Sequence, residues 1–201
     1  EPVQQAFAAV WYGHTENDGF NRLVVAARLT WHEVGVLRAY SHYLRQTGIP
    51  YSQAYIQETL VANPRITRLL VRLFHSRFDP DRHDHGRAGR LADQIDTAVA
   101  DVPSLDADRM LRRLLATIQA TVRTNAYRHA GAAQPPAALS LKVLPDQIPD
   151  MPKPRPAYEI YVDCPRTEGV HLRGGPVARG GLRWSERRED YRTEILGLMK
   201  A

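Results

Sequence analysis

The sequence predicts an α+β fold, in which a mostly α-helical N-terminal two-thirds is followed by a short β-rich segment and a helix. Two observations predict this fold. Apolar residues recur every three or four positions through the first two-thirds of the chain, which is the period of an amphipathic helix. After an Ala-, Gly- and Pro-rich stretch at 130–138 the period becomes two, as in a strand. We therefore expect a helical region at 1–132 and a second unit at 137–201.

Capping residues mark the predicted helices. Thr30 and Glu33 have the spacing of a capping box, in which each side chain bonds the backbone N–H of the other residue. Ser52 and Ser104 are placed to cap two later helices. The helix after Ser104 is expected to present an apolar face made of Leu111, Leu114, Leu115, Ile118 and Val122.

Period-two alternation predicts strands at 139–143, 158–163 and 169–173. Ser185 is expected to cap a last helix, because acidic residues follow it in the first turn. That helix has no stop signal before Ala201, so the second unit is expected to be incomplete within this chain.

Composition restricts the class of protein. The chain has 201 residues, a formal net charge of +5 and apolar runs far shorter than the ~18–20 residues that span a bilayer. A single cysteine, Cys164, excludes an internal disulfide and suits a reducing compartment. We expect a cytoplasmic protein without a membrane partner. The positive charge is carried mainly by dispersed arginine, which favours ion pairs on helix surfaces over one binding patch.

Two Arg-Gly-Gly triplets, at 173–175 and 179–181, form the candidate site. Paired glycines beside strands meet a geometric demand, either for positive φ or for the close approach of another group. Guanidinium groups bind carboxylates through two parallel hydrogen bonds. The candidates for binding a small anionic substrate are Arg179, Gly180, Gly181 and Arg183. A glycine turn between strands with solvated arginines is the alternative that spacing alone leaves open.

The residues around this site resemble a known family. Val-Ala-Arg-Gly-Gly-Leu-Arg-Trp-Ser at 177–185 and Arg-Arg-Glu-Asp-Tyr-Arg-Thr-Glu-Ile-Leu-Gly-Leu-Met-Lys at 187–200 resemble the large bacterial NAD-specific glutamate dehydrogenases. Asp-Gly-Phe-Asn-Arg-Leu-Val at 18–24 and Leu-Arg-Ala-Tyr at 37–40 resemble the region before that family's catalytic domain. The resemblance implies an internal fragment, in which residues from 137 begin a truncated α/β catalytic domain that binds glutamate.

The resemblance implies oxidative deamination of L-glutamate to 2-oxoglutarate and ammonia, with NAD as the hydride acceptor. It also implies that the catalytic residues and the NAD-binding residues lie outside this chain, which alone should not turn over glutamate. The implied partners are the remainder of the same polypeptide and further copies of it in a homo-oligomer.

Several site residues follow from the same resemblance. The triplet at 179–181 matches the place where smaller glutamate dehydrogenases have a carboxylate-binding lysine followed by two glycines, so Arg179 replaces that lysine. Lys200 becomes a further substrate-binding candidate. Pro176 stands where the family is expected to have a lysine, so no basic role is expected there.

Two other functions have weaker support in the sequence. A metal site at 83–85 with His75 lacks a second ligand cluster, and we expect no metal. The Arg-Gly-Gly triplets are also found in RNA-binding proteins, but here they stand between strand and helix signals rather than in repeats, so we expect no nucleic acid. A purely structural or oligomerising helical module remains compatible with residues 1–130.

Overall fold

The computed structural model describes residues 1–82, 84–128, 138–184 and 189–200, excluding the side chains of His85 and Lys200. Within these residues, helices and one antiparallel sheet confirm the predicted α+β class. The helices are α1 (Pro2–Trp11), α2 (Leu23–Ala26), α3 (Trp31–Gln46), α4 (Gln53–Ala62), α5 (Pro64–Phe78), α6 (His85–Ala100), α7 (Leu105–Ala120) and α8 (Tyr191–Lys200), with 3₁₀ turns at Gly19–Arg22 and Pro145–Gln147. The strands are β1 (Thr121–Thr124), β2 (Leu139–Val143), β3 (Tyr158–Asp163), β4 (Glu168–Gly174) and β5 (Val177–Arg183), which pair in chain order.

The central helix is α3, which contacts other helices as well as β3 and α8. Its predicted capping box is confirmed, because Thr30 N donates to Glu33 Oε2 (2.7 Å) and Glu33 N donates to Thr30 Oγ1 (3.3 Å). The predicted caps of α4 and α7 are also confirmed, since Ser52 and Ser104 accept backbone hydrogen bonds at the starts of those helices. Local sequence therefore sets where these three helices begin.

One hydrophobic core joins the helices to the sheet. An apolar stripe on α5, whose residues recur every three or four positions, contributes five buried residues: Ile66, Leu69, Leu70, Leu73 and Phe74. Leu141, Tyr161 and Leu172 belong to the same cluster, although they lie beyond the composition change at 130–138. The helices of the first region thus cover one face of the sheet. Most of the stretch at 130–138 lies outside the described residues.

The prediction that Val122 extends the apolar face of α7 is wrong. The helix ends at Ala120, and Thr121–Thr124 forms β1, which pairs with β2. β-Branched residues favour extended backbone. The Thr121 hydroxyl is buried at this boundary, where it accepts from Tyr40 Oη (3.0 Å) and donates to the Thr117 carbonyl (2.8 Å). Val122 is half exposed on the short strand.

The three predicted strands are confirmed as β2, β3 and β4. The following strand, β5, was not among them, because its glycines and arginines interrupt any alternation. The prediction that Ser185 caps the last helix falls on a residue outside the described ranges. The helix itself is present as α8, from Tyr191.

A buried polar network connects α3, β3 and α8. Glu159 and Arg192 are 1% and 2% exposed, and the guanidinium Nε of Arg192 lies 3.0 Å from both carboxylate oxygens. Tyr43 Oη donates to Glu159 Oε2 (2.8 Å). Burial raises the pKa of Tyr43 well above its usual range, and the neighbouring Glu159 carboxylate raises it further, so the hydroxyl stays a donor. The charge pair is therefore buried with several hydrogen bonds to its polar atoms.

Removing one partner of this pair should destabilise the fold. In Arg192→Met the Glu159 carboxylate stays buried without its counter-charge, which should lower the free energy of unfolding by about 3–5 kcal/mol. Urea denaturation measures the change. The matched control is Arg112→Met, because Arg112 pairs with Asp108 and Asp96 at a largely exposed site, where the expected change is within about 1 kcal/mol. Equally small effects of the two substitutions would contradict the structural role of Arg192.

The capping carboxylate of Glu33 should make stability depend on pH. Burial raises its pKa, but hydrogen bonds from His75 and Thr30 outweigh burial and hold the pKa below 4.5. A lowered folded-state pKa contributes stability above the unfolded-state pKa, and this contribution is lost as pH falls through the folded-state pKa. Glu33→Gln should thus be less stable than the wild type at pH 7, with the difference shrinking below pH 4.5. Thermal unfolding across pH 2–7 tests this, and a difference that is constant with pH would contradict it.

Candidate functional site

The candidate site lies on β5, the edge strand of the sheet. β4 and β5 form a hairpin in which Gly174 pairs with Val177, so its turn consists of Gly175 and Pro176. Gly175 has a φ of +64°, which glycine adopts without steric cost. Both Arg-Gly-Gly triplets therefore lie in paired strands and their turn. Nearly all of β5 is exposed.

Gly180 and Gly181, the glycines of the second triplet, do not have positive φ. They allow another group to approach the backbone closely. A Cβ added at Gly180 would lie 2.9 Å from the Cα of His171, its partner on β4. A Cβ added at Gly181 would lie 2.7 Å from the hydroxyl oxygen of Tyr191 on α8. Both geometric reasons expected for the paired glycines thus occur in one hairpin, at different positions.

Strand pairing shows on which face each candidate lies, because directly opposed residues of antiparallel strands share a face. Arg179 pairs with Leu172 and Gly181 pairs with Val170, and both partners are buried. Arg179 and Gly181 consequently lie on the face that α8 covers, whereas Gly180 lies on the opposite face. The Arg179 side chain is exposed, and its Nη1 donates to the carbonyl of Ala178 (2.9 Å).

Arg183, the second arginine of the candidate site, is held by three carboxylates. Its guanidinium lies 3.0 Å from Glu168, 2.8 Å from Asp190 and 3.3 Å from Glu194. Burial disfavours its charge, but Asp190 and Glu168 outweigh burial and raise its pKa. The guanidinium also stacks 4.6 Å from the centroid of Tyr191. Arg183 therefore ties β5 to β4 and α8, and its substrate role stays a prediction.

Lys200 ends α8, and its side chain lies outside the described atoms. The preceding residue, Met199, places its Cε 2.9 Å from the position of a Cβ on Gly174. The backbone of Lys200 is therefore near the β4–β5 turn. Arg179 is two residues past Val177, at the same end of the hairpin.

A separate cavity of about 490 Å³ lies between the start of α3, α5 and the β3–β4 turn. Trp31, Phe74 and Tyr127 line it, together with the charged residues Glu16 and Glu33. None of the four candidates Arg179, Gly180, Gly181 and Arg183 is part of its lining. The cavity and the β5 hairpin are thus two different places on the molecule.

His75 and Asp84, from the segment considered as a metal site, make other interactions in the structure. His75 has both ring nitrogens bonded, with Nδ1 2.5 Å from Tyr127 Oη and Nε2 2.9 Å from Glu33 Oε1. Asp84 caps α6, because its carboxylate accepts from Arg87 N (3.0 Å). His83 and the side chain of His85 lie outside the described residues.

Sequence reasoning missed the polar side chains buried between α3 and the sheet. Three of them lie in the C-terminal half of α3: His42, Tyr43 and Gln46. Gln46 Nε2 donates to Glu168 Oε2 (3.0 Å), and Gln46 Oε1 accepts from Arg192 N (3.1 Å). The available signal was polar residues at helical spacing beside the apolar positions of α3.

None of the described helices is both long and apolar enough to cross a bilayer.

Comparison with known proteins gives two family matches. The model described as bacterial NAD-glutamate dehydrogenase, catalytic domain, matches residues 94–201. The model described as glutamate dehydrogenase, helical motif 3, matches residues 15–80. The first match includes the end of α6 and all of α7, as well as the sheet and α8.

Similar proteins from three bacteria are named NAD-specific glutamate dehydrogenase. The chain is 51% identical to that of Halomonas elongata over 201 residues, or 100% of this chain. It is 50% identical to that of Mycobacterium tuberculosis over 98% of this chain, and 49% identical to that of Pseudomonas aeruginosa over 100%. The chain spans only 12–13% of the length of these relatives.

The hairpin geometry predicts opposite effects of two glycine substitutions. Gly180→Ala should lower the free energy of unfolding by about 1–3 kcal/mol, because the added methyl group meets the His171 backbone. Gly89→Ala is the control, since a Cβ there meets nothing within 4 Å and alanine favours its helix, α6, by about 1 kcal/mol. Urea denaturation of both variants measures the signs. A neutral or stabilising Gly180→Ala would show that the strands do not need glycine there.

Proposed function

Because this chain belongs to the bacterial NAD-glutamate dehydrogenase family, we propose that it forms part of an enzyme that oxidatively deaminates L-glutamate to 2-oxoglutarate and ammonia with NAD. The observation that carries this proposal is the catalytic-domain match across residues 94–201, on a chain about half identical to three relatives of that name. NAD would bind to residues outside this chain. The catalytic lysine would also lie outside it.

The exposed β5 hairpin is the part of this chain that we propose to contact glutamate. Glutamate carries two carboxylates, and a guanidinium binds a carboxylate through two parallel, charge-assisted hydrogen bonds. Arg179 has its side chain exposed and bonded to a carbonyl of its own strand. Exchanging that neutral acceptor for a carboxylate strengthens the hydrogen bond, which favours Arg179 as the carboxylate-binding residue.

Gly180 and Gly181 support the same assignment because both are exposed, although His171 and Tyr191 occupy the positions that their Cβ atoms would take. Because glycine has no side chain, a small substrate can approach the exposed main chain of β5 and accept hydrogen bonds from its N–H groups. The edge position of β5 leaves one side of its backbone without a partner strand among the described residues. We propose that Gly180 and Gly181 line the bound amino acid while Arg179 neutralises one of its carboxylates.

Arg183 and Lys200 have different places in this proposal. Because Glu168, Asp190 and Glu194 already surround the Arg183 guanidinium, its proposed role is to fix the position of β5 relative to α8. The backbone of α8 brings Lys200 to the end of the hairpin where Arg179 lies. A second cation at that end would suit the second carboxylate of glutamate.

The assembly and location of the whole enzyme complete the proposal. We propose a homo-oligomer built from the complete polypeptide, located in the cytoplasm. The one cysteine of this chain, Cys164, is compatible with a reducing compartment.

Substitution of Arg179 in the complete enzyme tests the assigned role. Losing a charge-assisted pair worth about 1.5–3 kcal/mol should raise the KM for glutamate roughly 10–150-fold, with the KM for NAD changed less than about 2-fold. Steady-state kinetics of Arg179→Ala, with each substrate varied in turn, gives both values. Arg179→Lys should be intermediate, because the charge remains and the planar fork is lost.

The matched control is Arg68→Ala, which removes an exposed arginine from α5 and should leave both KM values unchanged. Equal increases in the two KM values for Arg179→Ala would remove Arg179 from the glutamate site. If the complete wild-type enzyme showed no glutamate dehydrogenase activity, the proposed reaction itself would be overturned.

A further inference from the structure

Two carboxylates and one imidazole converge between α3 and the segment before the first 3₁₀ turn. One ligand-type atom from each of Glu16, Asp18 and His42 lies within 4.8 Å of the other two. The side chain of His42 is buried, and Glu16 and Asp18 are partly exposed. Oxygen and imidazole nitrogen donors at this separation are a set that divalent metal ions bind.

The two ring nitrogens of His42 are in different situations. Nδ1 lies 2.8 Å from Asp163 Oδ1 at the end of β3. Nε2 is buried and has no hydrogen-bond partner among the residues that the structure describes. A buried polar nitrogen is normally paired, so Nε2 indicates a ligand at this position.

The contact with Asp163 is the one that metal-binding histidines usually make. A ligating imidazole donates its other ring N–H to a carboxylate or carbonyl, which fixes the tautomer and the ring orientation. With the Nδ1 proton directed at Asp163, the lone pair of His42 is on Nε2. Asp163 would thus orient the imidazole without touching the ion.

The charges around the cluster favour a divalent cation. Glu16, Asp18 and Asp163 carry three formal negative charges, and the Arg38 guanidinium carries one positive charge. Arg38 bonds both oxygens of Asp18, with Nε–Oδ2 and Nη2–Oδ1 distances of 2.8 Å, and so fixes the orientation of that carboxylate. The group therefore has a formal charge of two negative, which a divalent ion neutralises.

We propose that Glu16, Asp18 and His42 bind a divalent transition-metal ion, with Asp163 as the positioning residue for the imidazole. Ligand atoms about 2.1 Å from one ion are at most about 4.2 Å apart, so separations within 4.8 Å require the side chains to close by no more than about 0.6 Å. On Asp18, the long contact from Gln53 Nε2 at 3.5 Å is the one that the ion would replace. Glu16 and Asp163 line the 490 Å³ cavity, which gives the ion a route from solvent.

This site differs from the expectation that the chain holds no metal. The three residues stand at 16, 18 and 42, with no recognised metal-ligand spacing, and only the packing of α3 brings them together. It is also independent of the proposed substrate site, because none of the three lies on β5 or α8.

Manganese binding to the complete protein tests the proposal directly. After treatment with a chelator, the wild type and its variants are titrated with Mn²⁺, and electron paramagnetic resonance counts the bound ions. The wild type should bind one more Mn²⁺ per chain than Glu16→Gln. The matched control, Glu58→Gln on the exposed side of α4, should bind as many as the wild type. Equal numbers in the wild type and Glu16→Gln would overturn the proposal.

The nitrogen ligand has its own signature. Electron spin echo modulation of bound Mn²⁺ should show coupling to ¹⁴N in the wild type, and that coupling should be absent in His42→Gln. Asp163→Asn should weaken Mn²⁺ binding roughly 10–100-fold, as expected for a residue that orients a ligating histidine. Should His42→Gln fail to fold, the count for Glu16→Gln still decides. A ¹⁴N coupling that is unchanged in a folded His42→Gln would overturn the site.

Discussion

The position of the last helix depends on one buried ion pair, between Glu159 on β3 and Arg192 on α8. Moving two charges out of water is costly, and the attraction between them compensates only when the geometry is good and every remaining polar atom is bonded. Tyr43 supplies the remaining donor to the carboxylate, and Gln46 accepts from the Arg192 backbone N–H. Both of these residues are on α3. The pair therefore fixes three elements relative to one another, which apolar contact alone, being non-directional, specifies less closely.

The same arrangement explains why one end of the β5 hairpin is anchored and the other is open. Near the start of α8, Arg183 joins β5 to Glu168 on β4 and to Asp190 and Glu194. Glu168 is itself bonded by Gln46 of α3, so this ion cluster continues the network around Glu159. Arg179, four residues before Arg183, is exposed and has no comparable carboxylate among its described contacts. The anchored end gives the strand a fixed position, from which the open end can present a guanidinium and two exposed glycines.

Local signals predicted the helices well, because their causes are local. The capping box of Thr30 and Glu33 and the stripe on α5 depend on residues a few positions apart, which the sequence displays directly. Which face of β3 is buried was harder to predict. Its more apolar residues, including Ile160, alternate with Glu159 and Tyr161, yet Glu159 and Tyr161 are the buried ones. Glu159 is tolerated there only because Arg192, 33 positions later, meets it. Such distant pairings leave no periodic signal. β5 was missed because its glycines serve contacts with His171 and Tyr191 instead of an alternating pattern.

Helix α3 shows why a helix in the middle of a fold carries so many polar residues. Arg38, His42, Tyr43 and Gln46 are all buried, and their side chains reach Asp18, Asp163, Glu159 and Glu168, respectively. A purely apolar helix of this length could rotate or slide with little change in buried area. Each of these four contacts, in contrast, forms in one register only, since any shift would separate the two partners. The four contacts reach two parts of the fold, the segment before α2 and the sheet. Since the sheet carries β5, the register of α3 determines both the site proposed for glutamate and the one proposed for a metal ion.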